Sequence, residues 1–161
     1  MDTIVDVNTG EVKVGRKMHL RSLAIGSCIV VAAYDAETRV GGMAHIMLPK
    51  KAPKKSLNKT RYASDAIDEL LRQMIEEGVS PENIEVSLVG AGNVLQKKDQ
   101  TICDSNIQST TQLLKENNLP AKASVLGGIN RKSVFMDTEK GRVSYTEGDG
   151  PQTLLWQAAK R

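Results

Sequence analysis

The chain has 161 residues, 40% of them hydrophobic and 25% charged, which is the size and balance of one soluble globular domain spanning residues 1–161. Aromatics make up only 3%, which leaves the core to Val, Ile, Leu, Ala and Met and excludes a base-stacking nucleic-acid surface. A net charge of +3, two cysteines and two histidines exclude a dedicated polyanion binder, a disulfide scaffold and a zinc centre.

No CxxC or HExxH spacing occurs, and neither a metal nor another cofactor is expected. Met1-Asp2-Thr3-Ile4-Val5 lacks the basic and apolar regions of a signal peptide, and no stretch reaches transmembrane length. The expected location is the cytoplasm, without membrane insertion, where thiols stay reduced.

In chain order, Ile4–Val7 reads as a short strand or arm, Asn8-Thr9-Gly10 as a turn, and a second short strand follows. Leu20–Ile25 and Cys28–Tyr34 are strands flanking Gly26-Ser27. The run from Cys28 to Tyr34 is apolar throughout and rich in β-branched residues, so it predicts a strand covered on both faces. Asp35–Arg39 is a polar turn, and Val40–Leu48 runs back. A basic loop, Lys50–Arg61, precedes helical spacing from Tyr62 to Glu77, where Ala63, Ala66, Ile67, Leu70, Leu71, Met74 and Ile75 share a face. Gly78 is the expected C′ residue.

Ile84–Ala91 reads as a buried strand, and Cys103-Asp104-Ser105 opens a second helix through Asn117 with Asp104 as N-cap. Ala121–Leu126, Ser133–Met136 and Gly141–Tyr145 are further strands, the last two forming a hairpin. Residues 148–161 are either a docked segment or a mobile tail. Seven or eight strands with two main helices and many hairpins predict an α+β layered sandwich with mostly antiparallel or mixed sheets.

One pairing has chemical content. With the hairpin turn centred on Ala36-Glu37, Cys28 falls directly opposite His45, and opposed side chains share a face. Gly41-Gly42 is a candidate bulge that restores this register if the turn length differs. A free thiol with a pKa near 8.5 is mostly protonated at neutral pH, and an adjacent imidazole can take its proton and later deliver it to a leaving group. A third group must hold the ring, and Ser22 is the nearest hydroxyl. The residues alone leave two readings open, since a cysteine and a histidine among apolar neighbours also suit a core. His19 reads as an exposed residue before a strand, and Cys103 as a packing residue.

Ser22-Leu23-Ala24-Ile25-Gly26-Ser27-Cys28, followed by Gly41-Gly42-Met43-Ala44-His45-Ile46-Met47-Leu48-Pro49, closely resembles the CheD family of chemoreceptor glutamine deamidases. That family carries T-L-G-L-G-S-C and then G-G-x-A-H-x-x-L-P. Lys59-Thr60-Arg61-Tyr62-Ala63, Gly90-Ala91-Gly92, Asn106 and Gly127-Gly128 with Arg131 are similar to its later segments. Ala24 stands at a family glycine, a mild departure, and Asn130 at another. Cys103-Asp104-Ser105 departs from the family's I-G-x-R.

The resemblance implies a three-layer α/β/β sandwich. It also implies hydrolysis of receptor glutamine side chains to glutamate through a cysteine thioester, with release of ammonia. The family's catalytic residues fall on Cys28, His45 and Ser22, the last in place of a threonine. Gly26 and Ser27 would support the oxyanion through the backbone, and Lys50, Lys51, Lys54 and Lys55 are either a solvated surface or a dock for acidic receptor surfaces. The implied partners are methyl-accepting chemotaxis receptors and the CheC phosphatase, with no nucleic acid. The alternative is a catalytically weak adaptor binding receptors or CheC.

Overall fold

The computed structural model describes residues 3–159. Ten strands form two five-stranded sheets with two main helices among the described residues. The first sheet holds β1 (Thr3–Asp6), β3 (Met18–Ile25), β8 (Lys132–Asp137), β9 (Arg142–Glu147) and β10 (Thr153–Gln157), in the order β1-β3-β8-β9-β10. The second holds β2 (Val12–Gly15), β4 (Ile29–Asp35), β5 (Val40–Ile46), β6 (Glu85–Gly90) and β7 (Ala123–Leu126), in the order β2-β5-β4-β6-β7. Among the described strands only β1–β3 and β6–β7 pair in parallel. Helices α1 (Ala63–Glu76) and α2 (Thr101–Glu116) cover the outer face of the second sheet, giving an α/β/β sandwich.

The alternation of β4 explains the layering. Ile29, Val31 and Ala33 join the core beneath α1, where Ala63, Ala66, Ile67, Leu70 and Met74 pack. Val30, Ala32 and Tyr34 join the core between the sheets, with Leu20, Ile25, Met43, Val134 and Met136. Every residue of β4 and β5 is buried, as the unbroken apolar run predicts. Each large aliphatic side chain so buried stabilises by roughly 1.5–3 kcal/mol.

The strand count exceeds the expected seven or eight. The two short N-terminal strands both enter sheets, and residues 153–157 dock on β9 as an edge strand. Gly78 ends α1 as expected, with the Gly78 and Val79 N–H groups donating to Ile75 and Met74. Asp104 is not the N-cap of α2. That helix starts three residues earlier, and the Asp99 carboxylate takes the Thr101 N–H at 2.8 Å.

The hairpin register also differs from expectation. Val30, not Cys28, lies opposite His45, and the ladder runs unbroken from Ile29↔Ile46 to Asp35↔Val40. The cause is the turn. The Asp35 carboxylate accepts bonds from Glu37 N–H, Thr38 N–H and the Thr38 hydroxyl, which opens a four-residue loop centred on Glu37-Thr38. Gly41 and Gly42 host no bulge; they make room for Met136 and Thr138 on one side and Leu70 on the other. The shift is two residues, so parity survives and Cys28 still shares a face with His45.

The bulge lies instead in β3, between Ser22 and Ile25. Ala24 sits there at φ +53°, a conformation that favours glycine, so the departure from the family glycine is strained rather than mild. Ala24→Gly is expected to stabilise the fold by about 0.5–1 kcal/mol, the strain relieved less the greater freedom of glycine in the unfolded chain. Urea unfolding of the two proteins checks the sign.

Candidate functional site

Two connections that cross from the first sheet to the second meet at one end of the sandwich. Residues 7–11 link β1 to β2, and residues 26–28 link β3 to β4. The second connection is held by the Gly90-Ala91-Gly92 segment. Ala91 N–H donates to the Cys28 carbonyl at 2.6 Å and Gly92 N–H to the Gly26 carbonyl at 2.9 Å. Gly90, at φ +127°, lies so close that an added Cβ would sit 2.4 Å from the Cys28 oxygen. Among the described residues, no carbonyl accepts from the Ser27 or Cys28 N–H.

The first connection wraps His45. Its N–H donates to Glu11 at 3.0 Å, and its carbonyl accepts from Gly10 N–H at 2.8 Å. The buried imidazole places Nδ1 3.1 Å from the Val7 carbonyl. A carbonyl only accepts, so Nδ1 carries the proton and the Nε2 lone pair is available as a base. Burial pushes the His45 pKa down, while the Val7 bond and the Glu11 charge oppose that. The Ser22 hydroxyl, on β3 across the sheet interface, donates to the same Val7 carbonyl at 2.7 Å and lies 3.4 Å from the Met43 sulfur. Ser22 therefore reaches the ring through Val7 and not by a direct bond, because the carbonyl stands between them.

Cys28 is half-buried and packs against the core between the sheets. Burial pushes its thiol pKa up, opposed by the neighbouring Thr9 side chain. Cys28 and His45 are diagonal neighbours rather than opposed ones, a spacing that typically separates backbones by about 7–8 Å and remains within reach of long side chains. Val7 and Thr9 escape a sequence reading. Val7 acts through its main chain, and Thr9 looks like any residue of an Asn-Thr-Gly turn.

Gly26 and Ser27 line a cavity of about 330 Å³ with Leu95, Lys97, Ile102 and Arg131, and Cys103 borders it. Cys103 is buried, and burial raises its pKa. Lys50 and Lys51 line a different groove, of about 600 Å³, with Ser105, Gln108 and Gln112 of α2, while Lys54 and Lys55 are exposed on the same loop. His19 lies within β3, on the face opposite to Ser22, 3.9 Å from Asp137. Among the described residues no group of three or more His, Cys, Asp or Glu is placed to hold a metal ion, and no helix is long and apolar enough to cross a membrane.

A family model described as CheD chemotactic sensory transduction matches residues 47–147. The probable chemoreceptor glutamine deamidase CheD of Chlorobium luteolum is 41% identical over 150 residues, covering 92% of this chain and 75% of its own. The chemoreceptor glutamine deamidase CheD of Halalkalibacterium halodurans is 29% identical over 151 residues, covering 89% of this chain and 93% of its own. The chain belongs to the CheD family. The family model begins two residues after His45, whereas the Chlorobium alignment is too long to leave out the stretch from Ser22 to Pro49.

The pKa shifts of His45 and Cys28 are testable. His45 has a folded pKa below its ordinary 6.5, so the unfolded chain binds the proton first as pH falls. Its contribution to stability is fully present above pH 6.5 and is lost as pH drops towards the folded pKa, with a slope of at most about 1.4 kcal/mol per pH unit. Urea titrations from pH 8 to 5 are expected to show that slope, and His45→Gln to lack it. Alkylation of Cys28 by iodoacetamide is expected to titrate with a midpoint above the ordinary thiol value of about 8.5. A plateau reached below neutrality would mean a preformed thiolate.

Proposed function

We propose that this chain is a cytoplasmic protein-glutamine glutaminase that converts glutamine side chains of chemotaxis receptors to glutamate, with Cys28 as nucleophile and His45 as base. The observation that carries the reading is the Val7 carbonyl. It holds the His45 Nδ1 proton and so turns the Nε2 lone pair into the ring's only basic site, on the face shared with Cys28. Membership of a family whose relatives are named chemoreceptor glutamine deamidases supplies the substrate.

Burial raises the thiol and lowers the imidazole, and both shifts disfavour a resting thiolate–imidazolium pair. The reaction therefore begins from neutral groups. As the glutamine carboxamide binds, His45 Nε2 takes the thiol proton while the sulfur bonds the carbonyl carbon. The N–H groups of Ser27 and Cys28 stabilise the oxyanion. His45 returns the proton to the departing nitrogen, the C–N bond breaks, and ammonia leaves a thioester. Water, deprotonated by the same nitrogen, then attacks the thioester. The C–S bond breaks, the proton passes back to sulfur, and glutamate is released. Ser22 and Val7 act only to hold the ring.

The lysines at 50, 51, 54 and 55 form the docking side of this reading, because receptor surfaces rich in glutamate suit an exposed cationic loop. Binding of CheC to the same chain is part of the proposal. The test incubates the full chain with receptor cytoplasmic fragments and follows ammonia and the Gln-to-Glu mass shift. Cys28→Ala is expected to abolish turnover, His45→Gln to lower kcat by about 10²–10⁴-fold, and Ser22→Ala to lower it by about tenfold. Equal turnover by Cys28→Ala would overturn the reading. An inactive wild type that still binds receptor or CheC would make the chain an adaptor.

A further inference from the structure

Helix α2 hydrogen-bonds the segments carrying Cys28 and His45 through one side chain. Asn106 is fully buried, and its Nδ2 donates to the Ser27 carbonyl at 2.9 Å and to the Met47 carbonyl at 3.2 Å. Ser27 immediately precedes Cys28, and Met47 is the second residue after His45. Both carbonyls lie just beyond regular pairing, since β4 begins at Ile29 and β5 ends at Ile46. The sheet ladder therefore stops one residue short of Met47 and two short of Ser27, and beyond it the two hydrogens of one planar amide join the two segments directly.

The other end of the amide shows what the residue is for. Among the described residues its Oδ1 is buried with no partner, as is the Thr110 hydroxyl one turn along the helix. Leaving a buried acceptor unpaired is costly, so packing alone would favour an apolar side chain here. Asn106 keeps a penalised group on one side in order to hold two carbonyls on the other. We propose that Asn106 is a positioning residue for the Cys28–His45 pair, spanning the nucleophile loop and the end of the base strand. The inference rests on the proposed roles of those two residues.

The test is a double-mutant cycle on the full chain, combining Asn106→Ser with His45→Gln. It reads the iodoacetamide alkylation rate of Cys28 at pH 7, alongside kcat and KM on receptor fragments. In the wild-type background His45→Gln is expected to slow alkylation by about tenfold. In the Asn106→Ser background it is expected to slow it by less than about twofold, because the two groups are no longer aligned. Asn106→Ser by itself is expected to lower kcat by on the order of 10²-fold, with KM changed by less than about threefold.

An undiminished His45 effect in the Asn106→Ser background overturns the inference even if receptors are deamidated. The expected cycle in a protein that deamidates nothing keeps the positioning role and removes the proposed reaction. If Asn106→Ser does not fold, the isosteric Asn106→Asp takes its place in the same cycle. Failure of both to fold assigns Asn106 to stability alone and overturns the proposal.

Discussion

The candidate site depends on one main-chain carbonyl. Val7 lies just past β1, buried between the sheets, and its oxygen accepts from both the Ser22 hydroxyl and His45 Nδ1. A carbonyl oxygen has two lone pairs, and here both are used. One bond fixes the tautomer of the imidazole, and the other fixes the carbonyl. The turn that carries Val7 also supplies Gly10 N–H and the Glu11 carbonyl to the His45 backbone. Ring and main chain of His45 are thus held by the same five-residue connection.

Such a constraint works because the surrounding strands are rigid. β4 and β5 lie in a sheet sealed by helices on one side and by the first sheet on the other. A slip of one residue there would exchange two complete cores, so the register is strongly specified. The face that His45 shares with Cys28 follows from the same rule: His45 has the parity of Met43, which points between the sheets, not that of Ala44 and Ile46, which point at the helices. Burial gives the site its chemistry as well as its shape. It raises the thiol and lowers the imidazole, and both shifts disfavour a resting thiolate–imidazolium pair.

Much of this was legible in the residues, and the gaps have physical causes. The doubly apolar run Cys28–Tyr34 marks a central strand, and the helical spacing after Tyr62 places α1 within a residue of its observed limits. Parity brought Cys28 and His45 to one face although the turn was misplaced, since Asp35 builds a side-chain-capped loop that strand patterning does not encode. The start of α2 was misplaced because its N-cap is Gln100, a residue type that gives no capping signal, while the carboxylate that takes the Thr101 N–H is Asp99, one residue further out. Ser22 was visible as a hydroxyl near the pair, but its route through a carbonyl fifteen residues earlier was not. Main-chain groups leave no signature in side-chain identity. The clamp by Asn106 is likewise a product of tertiary packing, since it joins segments 79 and 59 residues away.

The most direct measurement is the protonation pattern of the His45 ring by nitrogen NMR in the resting protein at neutral pH. The Val7 bond requires a neutral ring with the proton on Nδ1 and a pyridine-like Nε2. A proton on Nε2, or a doubly protonated ring, would contradict the account, because the ring would then have no lone pair to offer the Cys28 thiol.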